Sequence, residues 1–245
     1  MLKLASCLLT IFLVSSSLNA QVGADSRRQK DLALRQVENV RIRKQTVGAL
    51  LSELSLSYGI PIGLEAAPSD TQLGNYHLDF KKGTLAELLT QFVTENDRYT
   101  WKINEGVVNV LPKADSRDFL LQNLLETRIN TFQIKPETSC SSLAESLIAT
   151  PEVNRLLVAS GVTYREPSFS GFYIPQIGRE FSLNVSDNTL QSVLNGVVSK
   201  SPTAKFWVLS RNSDGTLSLG LAATHEAMPR DRKFSGQDFG ETPLR

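Results

Sequence analysis

The sequence predicts a mixed α+β protein made of two tandem βαββαββ modules joined by a helical linker, with no transmembrane region in the mature chain. Two similar stretches carry this prediction. "LDFKKGTLAELLTQF" (residues 78–92) places an alternating strand before an amphipathic helix, and "LNVSDNTLQSVLNGV" (residues 183–197) repeats that order. No stretch after residue 20 approaches the 18 or so apolar residues of a membrane-spanning helix.

The first 20 residues have the pattern of a secretory signal peptide. Lys3 is followed by an apolar core from Leu8 to Val14, and small Ala20 stands at the cleavage position. We therefore expect cleavage after Ala20 and a periplasmic or secreted protein. Cleavage also removes Cys7, which leaves Cys140 as the one mature cysteine and excludes an internal disulfide framework.

Composition is that of a soluble globular protein. The 245 residues are 41% hydrophobic and 21% charged, and the formal net charge is +1. This balance does not favour nucleic acid or an acidic membrane surface as a partner. Residues 21–35 are polar and are expected to form a flexible segment.

The first module is assigned to residues 36–112. Its strand "VENVRIRK" precedes a helix that stops at Gly59, and "IPIGLE" and "YHLDF" are the next strands. "KKG" is expected to turn the chain. Thr84 then caps a helix and forms a capping box with Glu87. "YTWKI" and "VVNVL" flank "NEG" as a hairpin. The predicted apolar stripe of the helix is Leu85, Leu88, Leu89, Phe92 and Val93.

The second module is assigned to residues 128–222, after a helical linker at 113–127 whose apolar positions are Phe119, Leu120, Leu124 and Leu125. "INTFQIK" is its first strand, a helix extended or split at Pro151 follows, and "VTYREP" is expected to be a strand. Thr189 stands 105 positions after Thr84, and Trp207 stands 106 after Trp101. The matching stripe is Leu190, Val193, Leu194, Val197 and Val198. Residues 223–245 are charged and are expected to be a disordered tail.

The stretch "LDFKKGTLAELLTQFVTENDRYTWKINEGVVNVLP" (residues 78–112) resembles the short N-terminal domain of secretins and TonB receptors, the STN domain. The resemblance covers about residues 36–112 well and 128–222 more loosely. It implies βαββαββ docking modules of the bacterial envelope that contact partner proteins. Neither a secretin core nor a transmembrane barrel follows residue 112 in the sequence, so the docking module stands without the machine to which it is usually joined.

Candidate catalytic residues are few. His77 is placed on a strand and His225 in the tail, so the two histidines have no metal-ligand spacing. Glu65, Asp70 and Asp79 are the acids available for a hydrolytic pair, with nothing to set their separation. The sequence therefore predicts no catalytic residue, no metal and no cofactor.

Two features suit protein binding. The sheet edges of each module can accept a partner strand. An insertion at 168–177, "SFSGFYIPQI", carries Phe169, Phe172, Tyr173 and Ile174 as candidate contacts, unless these side chains fold back onto the second module.

The expected function is that of an exported, non-catalytic adaptor or scaffold that binds a protein of the bacterial envelope. A secretin, pilus or TonB-type system is the context that the resemblance implies. Two alternatives stay open: a periplasmic enzyme or accessory acting on cell-wall polymer, and a carrier of a small ligand between the modules.

Overall fold

The computed structural model describes residues 26–68, 74–136, 138–166 and 181–224. Within these ranges the protein is a mixed α+β structure, which confirms the predicted class. The strands are β1 (Gln36–Lys44), β2 (Ile62–Glu65), β3 (Tyr76–Thr84), β4 (Tyr99–Asn104), β5 (Val107–Pro112), β6 (Arg128–Ile134), β7 (Leu183–Thr189), β8 (Ala204–Arg211) and β9 (Leu217–Ala223). The helices are α1 (residues 26–33), α2 (Val47–Tyr58), α3 (Leu85–Glu95), α4 (Phe119–Glu126), α5 (Cys140–Ile148), α6 (Pro151–Ser160) and α7 (Leu190–Lys200).

A five-stranded sheet in the order β4-β5-β2-β8-β9 runs through both halves of the chain. Its central strand β2 pairs in parallel with β5 on one side and with β8 on the other. All four residues of β2 are buried, as expected of a short apolar strand enclosed on both faces. Two antiparallel ribbons, β1–β3 and β6–β7, flank this sheet. The halves therefore share one sheet, which the sequence patterns did not predict.

Each face of the shared sheet has its own hydrophobic core. Ile62 and Leu64 of β2 and Phe206 of β8 point to the face covered by α2 and α3. Trp207 and Leu209, the alternate residues of β8, point to the opposite face, where α4, α5 and α7 pack. This alternation follows from the period of two of a strand. The result is a layered arrangement in which the sheet lies between helices of the first half and helices of the second.

Local signals in the sequence are confirmed where they depend on neighbouring residues. The Thr84 hydroxyl accepts from the Glu87 N–H at 3.2 Å, and Glu87 Oε2 accepts from the Thr84 N–H at 2.7 Å, which forms the predicted capping box. Thr189 caps α7 by accepting from Ser192 N–H. A two-residue turn, Glu105–Gly106, joins β4 and β5 as the hairpin signal predicts. Both predicted helical stripes are buried except Val93, which is partly buried.

Some predicted boundaries are wrong. "KKG" does not turn the chain, because Lys82 and Gly83 continue β3 and pair with β1. "VTYREP" makes an isolated bridge from Tyr164 to Leu217 rather than a strand. In α4, Phe119 is 75% exposed and Leu121 is buried in its place. By contrast, the helix expected to be extended or split at Pro151 is split there into α5 and α6, which confirms the second of these alternatives.

Residues 26–33, which the sequence places in a flexible segment, form α1. No helix in the described ranges combines the length and the apolar character needed to cross a membrane.

Candidate functional site

A chain of hydrogen bonds links the buried centre of the sheet to the β4–β5 turn. The indole Nε1 of Trp207, which is fully buried, donates to Oδ1 of Asn195 at 3.1 Å. Asn195 lies on α7 and is 1% exposed, and its Nδ2 donates to Glu105 Oε2 at 3.2 Å. The Ser192 hydroxyl donates to the other carboxylate oxygen at 2.8 Å. Residues of the second half therefore hold the turn of the first.

A second chain of hydrogen bonds, beside the first, joins α7 to β5. Gln191 Nε2 on α7 donates to Oδ1 of Asn109 at 2.9 Å, and Asn109 Nδ2 donates to the Val107 carbonyl at 3.0 Å. Asn109 is fully buried on β5, so these bonds satisfy an otherwise costly buried amide. The polar groups that line the contact between the halves are thus paired.

The groups at the buried ends of the two hydrogen-bond chains determine how the side-chain amides of Asn195 and Asn109 are oriented. An indole N–H is only a donor, so Asn195 must turn its oxygen to Trp207 and its NH₂ to Glu105. A backbone carbonyl is only an acceptor, so Asn109 turns its NH₂ to Val107 and its oxygen to Gln191. One N–H of Asn195 and one N–H of Gln191 are consequently directed at protein groups.

A cavity of about 240 Å³ opens beside these chains. Its lining is polar, and it lies where α1, the β4–β5 turn and the first turns of α7 meet. This volume is below the roughly 300 Å³ at which small-molecule sites begin, so the cavity suits one side chain rather than a whole ligand. The lining residues are Gln29, Asn104, Glu105, Gln191, Ser192 and Asn195.

The backbone of Glu105 adopts the left-handed conformation, with a φ angle of 54°, and that of Gly106 has a φ angle of 73°. Two positive φ values are those of a type I′ hairpin turn, in which glycine, asparagine and aspartate are favoured at the first position. A glutamate there is held in a conformation that costs about 1–2 kcal/mol for an ordinary residue. Its bonds to Ser192 and Asn195 offset part of that cost.

The outer edge of β4 is the second feature of this region. β4 ends the five-stranded sheet, and the Asn104–Val107 pair closes the hairpin. Because hydrogen-bonded and non-bonded pairs alternate in an antiparallel ladder, Thr100 and Lys102 bond inward to β5. The backbone N–H and C=O groups of Trp101 and Ile103 then point away from the sheet.

No described residue bonds to those outward groups of Trp101 and Ile103. The opposite edge, β9, is partly covered in contrast. Arg165 N–H donates to the Leu217 carbonyl at 2.8 Å, and the Leu217 N–H donates to the Thr163 carbonyl at 2.9 Å. The two edges of the sheet therefore differ, and β4 is the open one within the described ranges.

The residues singled out from the sequence are dispersed. Phe169, Phe172, Tyr173 and Ile174 lie outside the described residues, as do residues 1–20, for which a signal peptide is predicted. His77 is exposed on β3. The described residues contain no group of three or more His, Cys, Asp or Glu side chains placed to hold a metal.

Of the three acidic residues considered for a hydrolytic pair, the structure describes Glu65 and Asp79, and it places them in different environments. Glu65 is fully buried on β2 and accepts from Arg117 Nε at 2.8 Å and from the Arg117 Nη2 at 2.6 Å. Burial raises the pKa of Glu65, against the lowering effect of Arg117. Asp79 has a 63% exposed side chain near Arg41, and Asp70 lies outside the described residues.

Cys140 is the first residue of α5 and is buried, with its pKa raised to about 12 by loss of solvent contact. A thiol with that pKa is a poor nucleophile at neutral pH.

The two hydrogen-bond chains form a polar junction between the halves, made of Glu105, Asn109, Gln191, Ser192, Asn195 and Trp207. This junction was not predicted from the sequence. Asn195 follows Leu194 directly in the apolar stripe of α7, and that buried polar residue was the available signal. "NEG" was recognised only as a turn. Comparison of the chain with protein-family models, with curated proteins and with solved structures found no match in any of the three.

Proposed function

We propose that the protein is an exported, non-catalytic adaptor of the bacterial envelope that binds a partner protein by adding the partner's strand to the outer edge of β4. The observation that carries this proposal is the pair of outward backbone groups at Trp101 and Ile103, which no described residue satisfies. Such an edge is a template for an extended segment of another chain.

The charge on β4 favours a different protein over a second copy of this chain. Lys102 is exposed at the middle of the edge strand. In a symmetric pairing of β4 with itself, two lysines would lie near each other, and like charges across a strand pair are destabilising. Lysine on an edge strand is also a common device against self-association.

We also propose that the two halves are copies of one module, residues 36–112 and 128–222, similar to the STN domain. Equivalent strands pair in both halves: Ile42 with Leu78 in one and Ile134 with Leu183 in the other. The N–H of Leu85 donates to the Arg35 carbonyl, and the N–H of Leu190, 105 positions later, donates to the Thr127 carbonyl. A shared origin would explain contacts that match in this detail.

The same correspondence extends to the helices that follow the first strand of each half. Gly59 ends α2 with φ 59, and Gly161 ends α6 with φ 64, so both helices stop in the left-handed conformation that glycine adopts most readily. α3 and α7 each contain 11 residues.

The carrier alternative has less support. Leu121, Leu124 and Leu125 of α4 are buried in the core of the second half, so the linker helix fills the space next to the sheet.

The adaptor proposal is tested by photocrosslinking in living cells. A benzophenone amino acid is placed at Lys102 on the β4 edge and, as the control, at Val158, which is 72% exposed on α6. We expect a discrete protein adduct from position 102 and none from position 158. Ile103→Pro removes one outward N–H while leaving the inward bonds of β4, and it should abolish the adduct in a variant that keeps its circular dichroism spectrum.

Two further measurements test the remaining parts of the proposal. Deleting residues 168–177 should leave the adduct in place, since a lost adduct would move the contact to the insertion. N-terminal sequencing of the protein recovered from the periplasm should begin at Gln21. Equal adduct yields from positions 102 and 158 would refute the β4 edge as the docking site. An undiminished adduct from position 102 in the Ile103→Pro variant would refute it as well.

A further inference from the structure

We infer that the cavity beside Glu105 receives one basic side chain, a lysine or arginine, of the strand that docks on β4. This inference rests on the proposed function, because the docked strand delivers the side chain. It gives the partner a stated chemistry: an extended segment with a single basic residue at the end that reaches the β4–β5 turn.

The direction of the hydrogen bonds gives the first indication. Trp207 and Val107 orient the amides of Asn195 and Asn109, so Asn195 and Gln191 each give one N–H of their side-chain NH₂ to a protein acceptor. Among the side chains that line the cavity, the carboxylate of Glu105 is an acceptor only, and the amide oxygen of Gln191 can act as a second acceptor. A carboxylate in the lining is complementary to ammonium or guanidinium, which have only donors.

The charge of the Glu105 carboxylate also favours a basic ligand. The ion pairs among the described residues do not include Glu105, so its carboxylate has hydrogen bonds but no cation. Asn195, 1% exposed, anchors that carboxylate from the buried side. The carboxylate therefore keeps a fixed position while its remaining lone pairs face the opening. A fixed anion without a counterion is a ready partner for a basic group.

The cavity lies at the end of the β4 edge. β4 ends at Asn104, which lines the cavity, and the last outward backbone groups belong to Ile103. Successive residues of a strand rise by about 3.4 Å, so a docked strand that reaches Ile103 brings its end beside the cavity. Lys102, exposed two residues before Asn104, disfavours a second basic residue earlier in the strand. The match is thus one basic residue, not a basic run.

The backbone of Glu105 supports a role beyond closing the turn. Its φ of 54 is accommodated more easily by glycine or asparagine. The alternative is that Glu105 serves only as a clamp for the first turn of α7, where a negative charge is favoured. The two possibilities give different results when the ligand's charge is varied.

The probes are two eight-residue peptides of alternating Thr and Val that differ at both end positions, arginine in one and citrulline in the other, so that either strand direction brings one of these side chains to the β4–β5 turn. Citrulline keeps the shape of arginine and removes the charge. N-acetylarginine amide serves as a probe that cannot form a strand. Binding to the purified protein is followed by ¹H–¹⁵N NMR, through the indole N–H of Trp207 and the side-chain NH₂ groups of Asn195 and Gln191 for the cavity. The backbone N–H groups of Trp101 and Ile103 report on the β4 edge.

We expect the arginine peptide to bind about two- to fivefold more tightly than the citrulline peptide, the range for an accessible ion pair. Glu105→Gln should remove this preference, whereas the control Lys102→Gln, on the same strand, should keep it. Equal affinity of the two peptides would overturn the inference, as would a preference that survives Glu105→Gln. If Glu105 serves only as a clamp for α7, the two peptides should bind with equal affinity and Glu105→Gln should lower the unfolding midpoint.

The two proposals fail in different ways. If both peptides shift Trp101 and Ile103 equally and leave the cavity signals unchanged, strand addition stands and the basic-residue inference is wrong. If N-acetylarginine amide shifts the cavity signals and no peptide shifts the β4 signals, the cavity takes a cation but strand addition on β4 is wrong. Absence of any shift with all three probes overturns the inference.

Discussion

Substituting Gly63 by alanine should destabilise the whole protein, because this glycine lies directly under the indole of Trp207 at the centre of the shared sheet. A Cβ added at Gly63 would stand 2.2 Å from Cε2 and 2.4 Å from Nε1 of Trp207. Carbon atoms in contact normally stand about 3.5–4.0 Å apart. The indole must therefore move by more than an ångström or β2 must separate from β8.

The expected loss has two parts. Overpacking a closed core costs about 1–3 kcal/mol. Movement of the indole also breaks its bond to Asn195, and leaving buried polar groups unpaired costs about 1–3 kcal/mol more. The free energy of unfolding should therefore fall by about 2–6 kcal/mol. At about 2–4 °C per kcal/mol for a chain of this size, the melting temperature should drop by at least 4 °C.

The assay is urea unfolding followed by circular dichroism, with calorimetry for the melting temperature. Gly48→Ala is the matched control, since its Cβ would meet nothing closer than Leu64 at 3.8 Å, and its stability should stay within about 0.5 kcal/mol of wild type. Equal stability of Gly63→Ala and wild type would refute the packing argument.

Three further outcomes are expected. Because β2 and β8 pair in one sheet, unfolding followed by the fluorescence of Trp101 and Trp207 together and by far-ultraviolet circular dichroism should give coincident transitions, and separate midpoints would show that the halves unfold independently. Arg117→Met leaves Glu65 buried without its cation and should cost about 3–5 kcal/mol at pH 8. Burial raises the Glu65 pKa above its ordinary 4.5, and loss of Arg117 raises that pKa further. Relative to wild type, the loss of unfolding free energy should therefore grow as the pH rises from the Glu65 pKa of the wild type through the higher pKa of the variant, and a loss that does not change with pH would contradict this assignment. Cys140, with a pKa of about 12 against an ordinary 9.0, should react with iodoacetamide about a thousandfold more slowly in the native protein than in urea, and similar rates would show that the thiol is accessible.

The parts of the fold that the sequence predicts are those set by residues close together in the chain. The capping box of Thr84 and Glu87 needs three-residue spacing, and the buried stripes of α3 and α7 need helical periodicity. The Glu105–Gly106 turn likewise depends on a local signal. These features could be predicted because each is complete within a short window.

The order of the strands is set by contacts that no short window contains. β2 pairs with β8 across about 140 residues, and only the assembled core shows that Gly63 makes room for Trp207. The same limit applies to the candidate site. A sheet edge was predicted as a binding feature, but β2, the other edge of the strands of the first half, is closed because it takes β8 as its second partner, which leaves β4 as the open edge of that half. Asn195 and Glu105 acquire their roles from that same pairing.

The junction makes the docking edge of the first half depend on the second half. Trp207 is held over Gly63, and it orients Asn195, which in turn holds the carboxylate of Glu105 at the end of β4. A displacement of the indole at the sheet centre is therefore transmitted through two hydrogen bonds to the cavity. A single module of residues 36–112 would have neither α7 nor this carboxylate geometry. The second half of the chain thus contributes more than a repeated fold: it supplies the side chains that shape the end of the edge to which we assign the partner.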